Sequence, residues 1–164
     1  MKKETLEKRM YGLVNYQLSG IQQGIQYGHA VVEYGLKQLN DGPSDQYLDW
    51  ATNWKTFIIL NGGTTNSLQT QEFSLQSHVE KLKGFGIEFA TFNEPDLNNA
   101  LTSVVFILDE RVFNEKKYMT YDEYSTMGCE TYDDYMDEIF PGLKLDEIQH
   151  IFKIREWIKG FRLA

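Results

Sequence analysis

Two apolar runs, FIIL within residues 55–60 (KTFIIL) and VVFIL within residues 103–108 (SVVFIL), constrain this chain most. A strand with one wet face alternates apolar and polar residues. A continuous apolar run of this length is buried on both faces, and a sheet gains that burial when helices cover it. Helical patterns lie between the candidate strands. Residues 11–18 alternate and are rich in Tyr, Leu and Val, as a first strand would be. Ser19 is a good N-cap for a helix starting near Gly20. In that helix Ile21, Ile25, Ala30, Val32, Leu36 and Leu39 recur at helical spacing and are expected to pack inward. Asn40-Asp41-Gly42-Pro43-Ser44 stops it. Tyr47, Leu48, Trp50, Ala51 and Trp54 predict a short amphipathic turn or helix. Residues 73–83 predict a second long helix with Leu75, Val79 and Leu82 inward, ended by Gly84-Phe85-Gly86, and residues 87–92 (IEFATF) predict a third strand. The order β-α-β-α-β-β implies an α/β sandwich on a mixed sheet.

Beyond residue 111 the character changes. Residues 112–138 carry eight acids against Lys116 and Lys117, a net of −6 out of −8 for the whole chain. Pro141-Gly142 punctuates the segment. Residues 143–161 then read as an amphipathic helix, with Ile148, Ile151, Phe152, Trp157, Ile158 and Phe161 available to bury. The expected organisation is an α/β core over residues 1–111. An acidic segment and helix over residues 112–164 pack on that core or at an interface, where the helix offers a face for a homodimer.

The acidic balance excludes bulk attraction to a nucleic-acid backbone, and its confinement to the late segment leaves the core free to hold a small ligand. No apolar run approaches the ~20 residues of a membrane span, so no membrane association is expected. The first ten residues are charged and no apolar stretch of a signal peptide follows. The single cysteine, Cys129, forms no internal disulfide and has no His or Arg nearby to activate it, so a reducing, cytoplasmic setting is expected. His78 and His150 lack partners at metal-ligand spacing and read as surface residues; no metal site and no cofactor are expected.

Candidate site residues cluster at strand–helix and strand–strand junctions. Gln22 and Gln26 share a helix face at i, i+4, and Gln26 and His29 at i, i+3, which gathers amides and an imidazole over the helix start together with Gln23. A ligand-facing imidazole there can contact a ligand or act as a general base. The loop Asn61-Gly62-Gly63-Thr64-Thr65-Asn66 offers N–H groups and hydroxyls, with Thr64, Thr65 and Asn66 as ligand-binding candidates; it lacks the lysine and spacing of a P-loop. The segment from Asn93 to Thr102 is unusually polar between two apolar strands. Glu94 and Asp96 are candidate acids there, and Asn98 and Asn99 are amides suited to reading a base.

The motif Gln26-Tyr27-Gly28-His29-Ala30, Trp54 ahead of the apolar strand at 57–60, the helix–Gly86–strand step and the polar loop before the last apolar strand together resemble the peptidyl-tRNA hydrolase 2 superfamily over roughly residues 10–110. The resemblance implies a three-layer sandwich with a four-stranded mixed sheet flanked by helices, here with a helical C-terminal extension. It also implies a site at the start of the first helix, with His29, Asp96 and Thr102 as the residues to carry any chemistry. The superfamily's catalytic lysine would fall near Gln22, and no lysine occurs between Arg9 and Lys37. A lysine can hold phosphate or an oxyanion, whereas glutamine only hydrogen-bonds. The Glu94-Pro95-Asp96-Leu97-Asn98-Asn99 loop is similar to a divergent, often phage-borne branch, which implies a host-cytoplasmic protein. Three functions are therefore expected in order: binding of a small nucleotide-like ligand without turnover, such as sequestration of a signalling nucleotide; hydrolysis of peptidyl- or aminoacyl-tRNA at the tRNA 3′ end; and protein interaction through the acidic tail.

Overall fold

The computed structural model describes residues 5–65, 73–128 and 131–164. It is an α/β chain with a four-stranded mixed sheet and, among the described residues, seven α-helices. Two compact units divide the chain: Glu7–Leu108 with Phe161–Ala164, and Met1–Leu6 with Asp109–Gly160.

The first unit holds β1 (Lys8–Val14), α1 (Gly20–Asp41), α2 (Asp45–Asp49), a π-helical turn (Trp50–Trp54), β2 (Thr56–Asn61), α3 (Leu75–Gly84), β3 (Phe89–Glu94) and β4 (Ala100–Asp109). The sheet order is β2-β1-β4-β3, with β1 and β2 parallel and β3 and β4 antiparallel. The last residues add to the β2 edge: Asn61 N–H donates to Arg162 O at 2.8 Å, and Ala164 N–H to Ile59 O at 3.1 Å.

The first helix reverses the expectation drawn from its periodicity. Its buried residues are Gln23, Gln26, Tyr27, Ala30, Tyr34 and Gln38. Ile21, Ile25, Val32, Leu36 and Leu39, expected inside, are exposed, and of that set only Ala30 is buried. Both faces repeat at the helical period, so the period does not say which one faces the sheet. The two tyrosines of the buried face fill the core, and their hydroxyls find partners. Tyr27 donates to Met10 O at 2.9 Å and Tyr34 to Glu88 at 3.1 Å. Tyr27 lies against β1 where Gly12 leaves room: a Cβ on Gly12 would sit 2.0 Å from the tyrosine ring. Met10, Val14, Tyr27, Ala30, Tyr34, Trp50, Ala90, Val105 and Ile107 form the core between α1 and the sheet. The π-helical turn holds Trp50 in that core, with its indole N–H donating to Thr56 O at 3.1 Å, and Lys8 pairs with Asp49 in front of it.

The second unit contains α4 (Glu110–Phe113), α5 (Tyr121–Ser125), α6 (Tyr132–Ile139) and α7 (Leu145–Lys159). The acidic segment is therefore mostly short capped helices rather than a solvated tail. Thr120 and Thr131 accept from the backbone as N-caps, and the acids Asp122, Glu123, Asp133 and Asp134 occupy first turns, where the helix dipole favours negative charge. The interior is aromatic, with Tyr118, Tyr124, Tyr135 and Phe140 buried. Tyr135 donates to Met119 O at 2.9 Å and Tyr124 to Glu138 at 2.6 Å. Arg155 of α7 is buried and donates to the carbonyls of Val112 (3.1 Å) and Arg111 (2.6 Å), tying α7 to α4. Among the described residues no helix is long and apolar enough to cross a membrane.

Candidate functional site

The junction of β1, the start of α1 and the β3–β4 hairpin gathers most of the residues singled out in the sequence. Ser19 caps α1, and the cap is reciprocal: Gln22 Oε1 accepts from the Ser19 backbone N–H at 3.1 Å while Ser19 Oγ accepts from Gln22 N–H at 3.4 Å. Gln22, where the resemblance would place a lysine, is thus an exposed capping residue. The next residue, Gln23, is buried and donates to Asn15 O at 3.3 Å.

Gln26 is the centre of the arrangement. Its Oε1 accepts from the Thr102 hydroxyl at 2.5 Å, and its Nε2 donates to Glu94 Oε2 at 2.5 Å. These two bonds fix the amide orientation, because only its oxygen can accept from a hydroxyl and only its nitrogen can donate to a carboxylate. Thr102 reaches α1 because the β3–β4 register slips there: Phe92 pairs with Ser103 and Asn93 with Leu101, leaving Thr102 as the extra residue of a bulge. A bulge re-aims the side chain it carries. Thr102 is fully buried, and its hydroxyl also lies 3.3 Å from Phe92 O.

His29 stands one turn beyond Gln26. It is exposed and stacks on Phe92, with ring centroids 4.5 Å apart and planes 23° apart. Asn15 and Phe92 join the site although the sequence reading passed them over as strand residues. Asn15 Nδ2 donates to Thr65 Oγ1 at 2.8 Å, its Oδ1 accepts from Gln17 N–H at 2.9 Å, and its own N–H donates to Thr102 O at 3.1 Å. The strand expected over residues 11–18 ends at Val14, which leaves Asn15 at its exit. Phe92 carried no signal, since a phenylalanine in a strand reads as core.

In the described part of the loop after β2, both glycine N–H groups are already engaged. Gly62 N–H is used by Val14 O at 2.8 Å and Gly63 N–H by Asn61 Oδ1 at 3.0 Å. Thr65 Oγ1 donates to Leu101 O at 2.7 Å, so it belongs to the network around Asn15, while Thr64 O accepts from Leu75 N–H at 2.8 Å at the head of α3. Asn66 lies outside the described residues. In the hairpin, Asp96 is exposed in a 3-10 turn (Pro95–Leu97), its N–H donating to Glu94 Oε1 at 3.4 Å. Asn98 and Asn99 are exposed and left-handed at φ 53° and 59°, a conformation asparagine tolerates, and Asn93 Nδ2 ties the turn through Asn99 O at 2.9 Å. The chain matches no protein-family model and no curated protein.

Glu94 is the one formally charged side chain in the hydrogen-bonded group of Asn15, Gln23, Gln26, Thr65, Glu94 and Thr102. The group therefore offers fixed amides, hydroxyls and a carboxylate beside an aromatic stack. No cluster of three or more His, Cys, Asp or Glu side chains able to hold a metal occurs among the described residues.

His78 corrects its reading as a surface residue. It is buried, with its ring edge-on to Phe73 and Phe161 at 4.9 and 4.8 Å. Burial pushes its pKa down to about 4 against an opposing hydrogen bond to the Gly62 backbone. His150 lines a cleft of about 440 Å³ in the second unit with Arg111, Leu143, Asp146, Glu147 and Ile151. There the Arg111 guanidinium is already engaged with Asp109 at 2.6 and 3.0 Å.

Proposed function

We propose that this chain is a peptidyl-tRNA-hydrolase-2-like, three-layer α/β protein that holds a small nucleotide-like ligand at the α1/β3–β4 junction without turning it over. The observation that carries the reading is the exposed His29 ring stacked on half-buried Phe92, next to the hydrogen-bonded chain Thr102–Gln26–Glu94. A planar base gains by stacking on such a platform, and a locked amide and carboxylate discriminate its polar edge. Turnover is disfavoured by the same geometry. The Thr102 hydroxyl is buried and engaged, and glutamine replaces the cation that an oxyanion or phosphate would need. A protein of this kind acts by lowering the free concentration of its ligand in the cytoplasm it occupies, and sequestration of a signalling nucleotide fits that action.

Calorimetric titration with a panel of nucleosides, nucleotides and cyclic nucleotides tests the reading. A stoichiometric ligand recovered chemically unchanged is the expected result. His29→Ala is expected to weaken it about 10- to 100-fold, the equivalent of losing one base-stacking contact of ~1–3 kcal/mol. Absence of binding across the panel refutes the reading. Release of peptide from peptidyl-tRNA by the native chain, lost in His29→Ala, replaces it with the hydrolase.

A further inference from the structure

The outer face of α1 is apolar from end to end. Ile21 is 81% exposed, Ile25 52%, Val32 61%, Leu36 47% and Leu39 78%. At 100° per residue these five positions fall within an arc of about 60°, on the side of the helix opposite Gln26, Ala30 and Tyr34. We propose that this face docks a second copy of the same chain, with the two α1 helices antiparallel about a two-fold axis beside residue 30. His29 lies about 20° beyond Leu36, on the border of this face.

Three features select a second copy in this orientation. The face is self-complementary: about such an axis Ile21 meets Leu39 of the other copy, Ile25 meets Leu36, and Val32 meets Gly28. Gly24 and Gly28 have open space where a Cβ would be, so the second helix can approach closely there. The second feature is charge. Each chain carries −8, with −6 of it in residues 112–138, where two copies repel, whereas residues 20–32 contain no Asp, Glu, Lys or Arg. The helix also has no acid in its first turn and no base in its last. Antiparallel pairing sets the two dipoles against each other and brings Asp41 of each copy to the N-terminal end of the other, where negative charge is favoured. A parallel pair has neither advantage.

The third feature is area. A fully exposed aliphatic side chain presents roughly 100 Å² of apolar surface, so five of them at these exposures present about 300 Å² per copy. That is the size at which a contiguous apolar patch marks an interaction site. Ile21 and Leu39 are about 27 Å apart along the helix. Two stripes of that length, with their glycine and glutamine borders, cover about 1,000 Å² in total, at the lower bound for a specific interface. The pair is accordingly a weak dimer that dissociates on dilution.

Sedimentation equilibrium of the full chain over a concentration series reads this as a rise from the 19.1 kDa chain mass toward twice that value. Val32→Glu puts like charges on both sides of the axis. It is expected to hold the chain at monomer mass to at least tenfold higher concentration, with an unchanged circular dichroism spectrum. Leu39→Lys is a second variant at the far end of the same stripe, with the same expected effect. In a Cys129→Ser background, Ile21→Cys mixed with Leu39→Cys is expected to form a mixed disulfide on oxidation, and Ile21→Cys alone to form none. A monomer at every concentration overturns the proposal. So does a dimer that survives both Val32→Glu and Leu39→Lys, which moves the interface elsewhere, the α7 face included. Self-crosslinking of Ile21→Cys overturns the antiparallel arrangement.

Discussion

Acid should destabilise this protein through one buried imidazole. His78 is 4% exposed and sits between Phe73 and Phe161, and its folded pKa is about 4 against an ordinary value of 6.5. Burial disfavours the charged form, so the folded chain binds fewer protons than the unfolded chain between those two values. The sign follows from linkage: the contribution is fully present above about pH 6.5 and is lost as pH falls toward 4. A shift of that size amounts to about 3 kcal/mol in total, of which about 2 kcal/mol disappears between pH 7 and pH 5. The perturbation is His78→Leu, which keeps an apolar side chain in the aromatic slot and removes the titration. Urea unfolding of both chains at pH 7 and pH 5 gives the comparison. The variant starts less stable at pH 7, because it gives up the hydrogen bond to the Gly62 backbone and the histidine's packing. Carboxylates common to both chains cancel in the difference, so the native chain should lose about 2 kcal/mol more than the variant between the two pH values. Equal losses in the two chains would refute the reasoning, since they would mean that His78 protonates in the folded state without cost.

Three further outcomes follow from particular contacts. Gly12→Ala places a methyl carbon 2.0 Å from the Tyr27 ring, which must move and give up its bond to Met10 O. A loss of about 3 kcal/mol is expected in thermal unfolding, at the upper end of overpacking costs. Thr102→Val keeps the shape of the bulged residue but leaves Gln26 Oε1 without its donor. It is expected to cost about 1–3 kcal/mol and to weaken the proposed ligand at least tenfold in the titration that detects it. Arg155→Lys replaces a fork that serves two carbonyls with a single ammonium. Unfolding should shift by about 2 kcal/mol, with the protection of α7 amides in hydrogen exchange falling first.

Much of the first unit was legible in the sequence. The uninterrupted runs at 55–60 and 103–108 became β2 and β4; β4 is buried along nearly its whole length as expected, whereas β2 lies at the edge of the sheet, with Phe57 exposed and only Leu60 of its apolar residues buried. Ser19 capped the helix it was expected to cap, and Gly84-Phe85-Gly86 closed α3. These are local events, in which a hydroxyl satisfies an N–H three residues away or a glycine leaves the helix with φ at 65°. The site was legible in part. Gln26 and His29 were drawn together by their spacing on one helix, and Glu94 and Thr102 by the polarity of their loop. Sequence spacing does not join the helix to the loop, and Asn15 and Phe92 carry no sequence mark that sets them apart from other strand residues.

The side of α1 that faces the sheet illustrates the division. Sequence alone determined that residues 20–41 form a helix with two distinct faces, because amphipathic spacing and a cap are properties of the segment itself. It also determined the order of strands and helices and the restriction of excess negative charge to one stretch. Tertiary structure decided that the tyrosine–glutamine face turns inward and the aliphatic face outward. That choice depends on what waits across the gap: Gly12 makes room for Tyr27, and Glu94 and Thr102 satisfy Gln26 from 68 and 76 residues away. A buried amide is stable only with both partners in place. Their placement rests on a one-residue slip between β3 and β4 that aims Thr102 at the helix, and such a slip is a property of the paired strands rather than of either one.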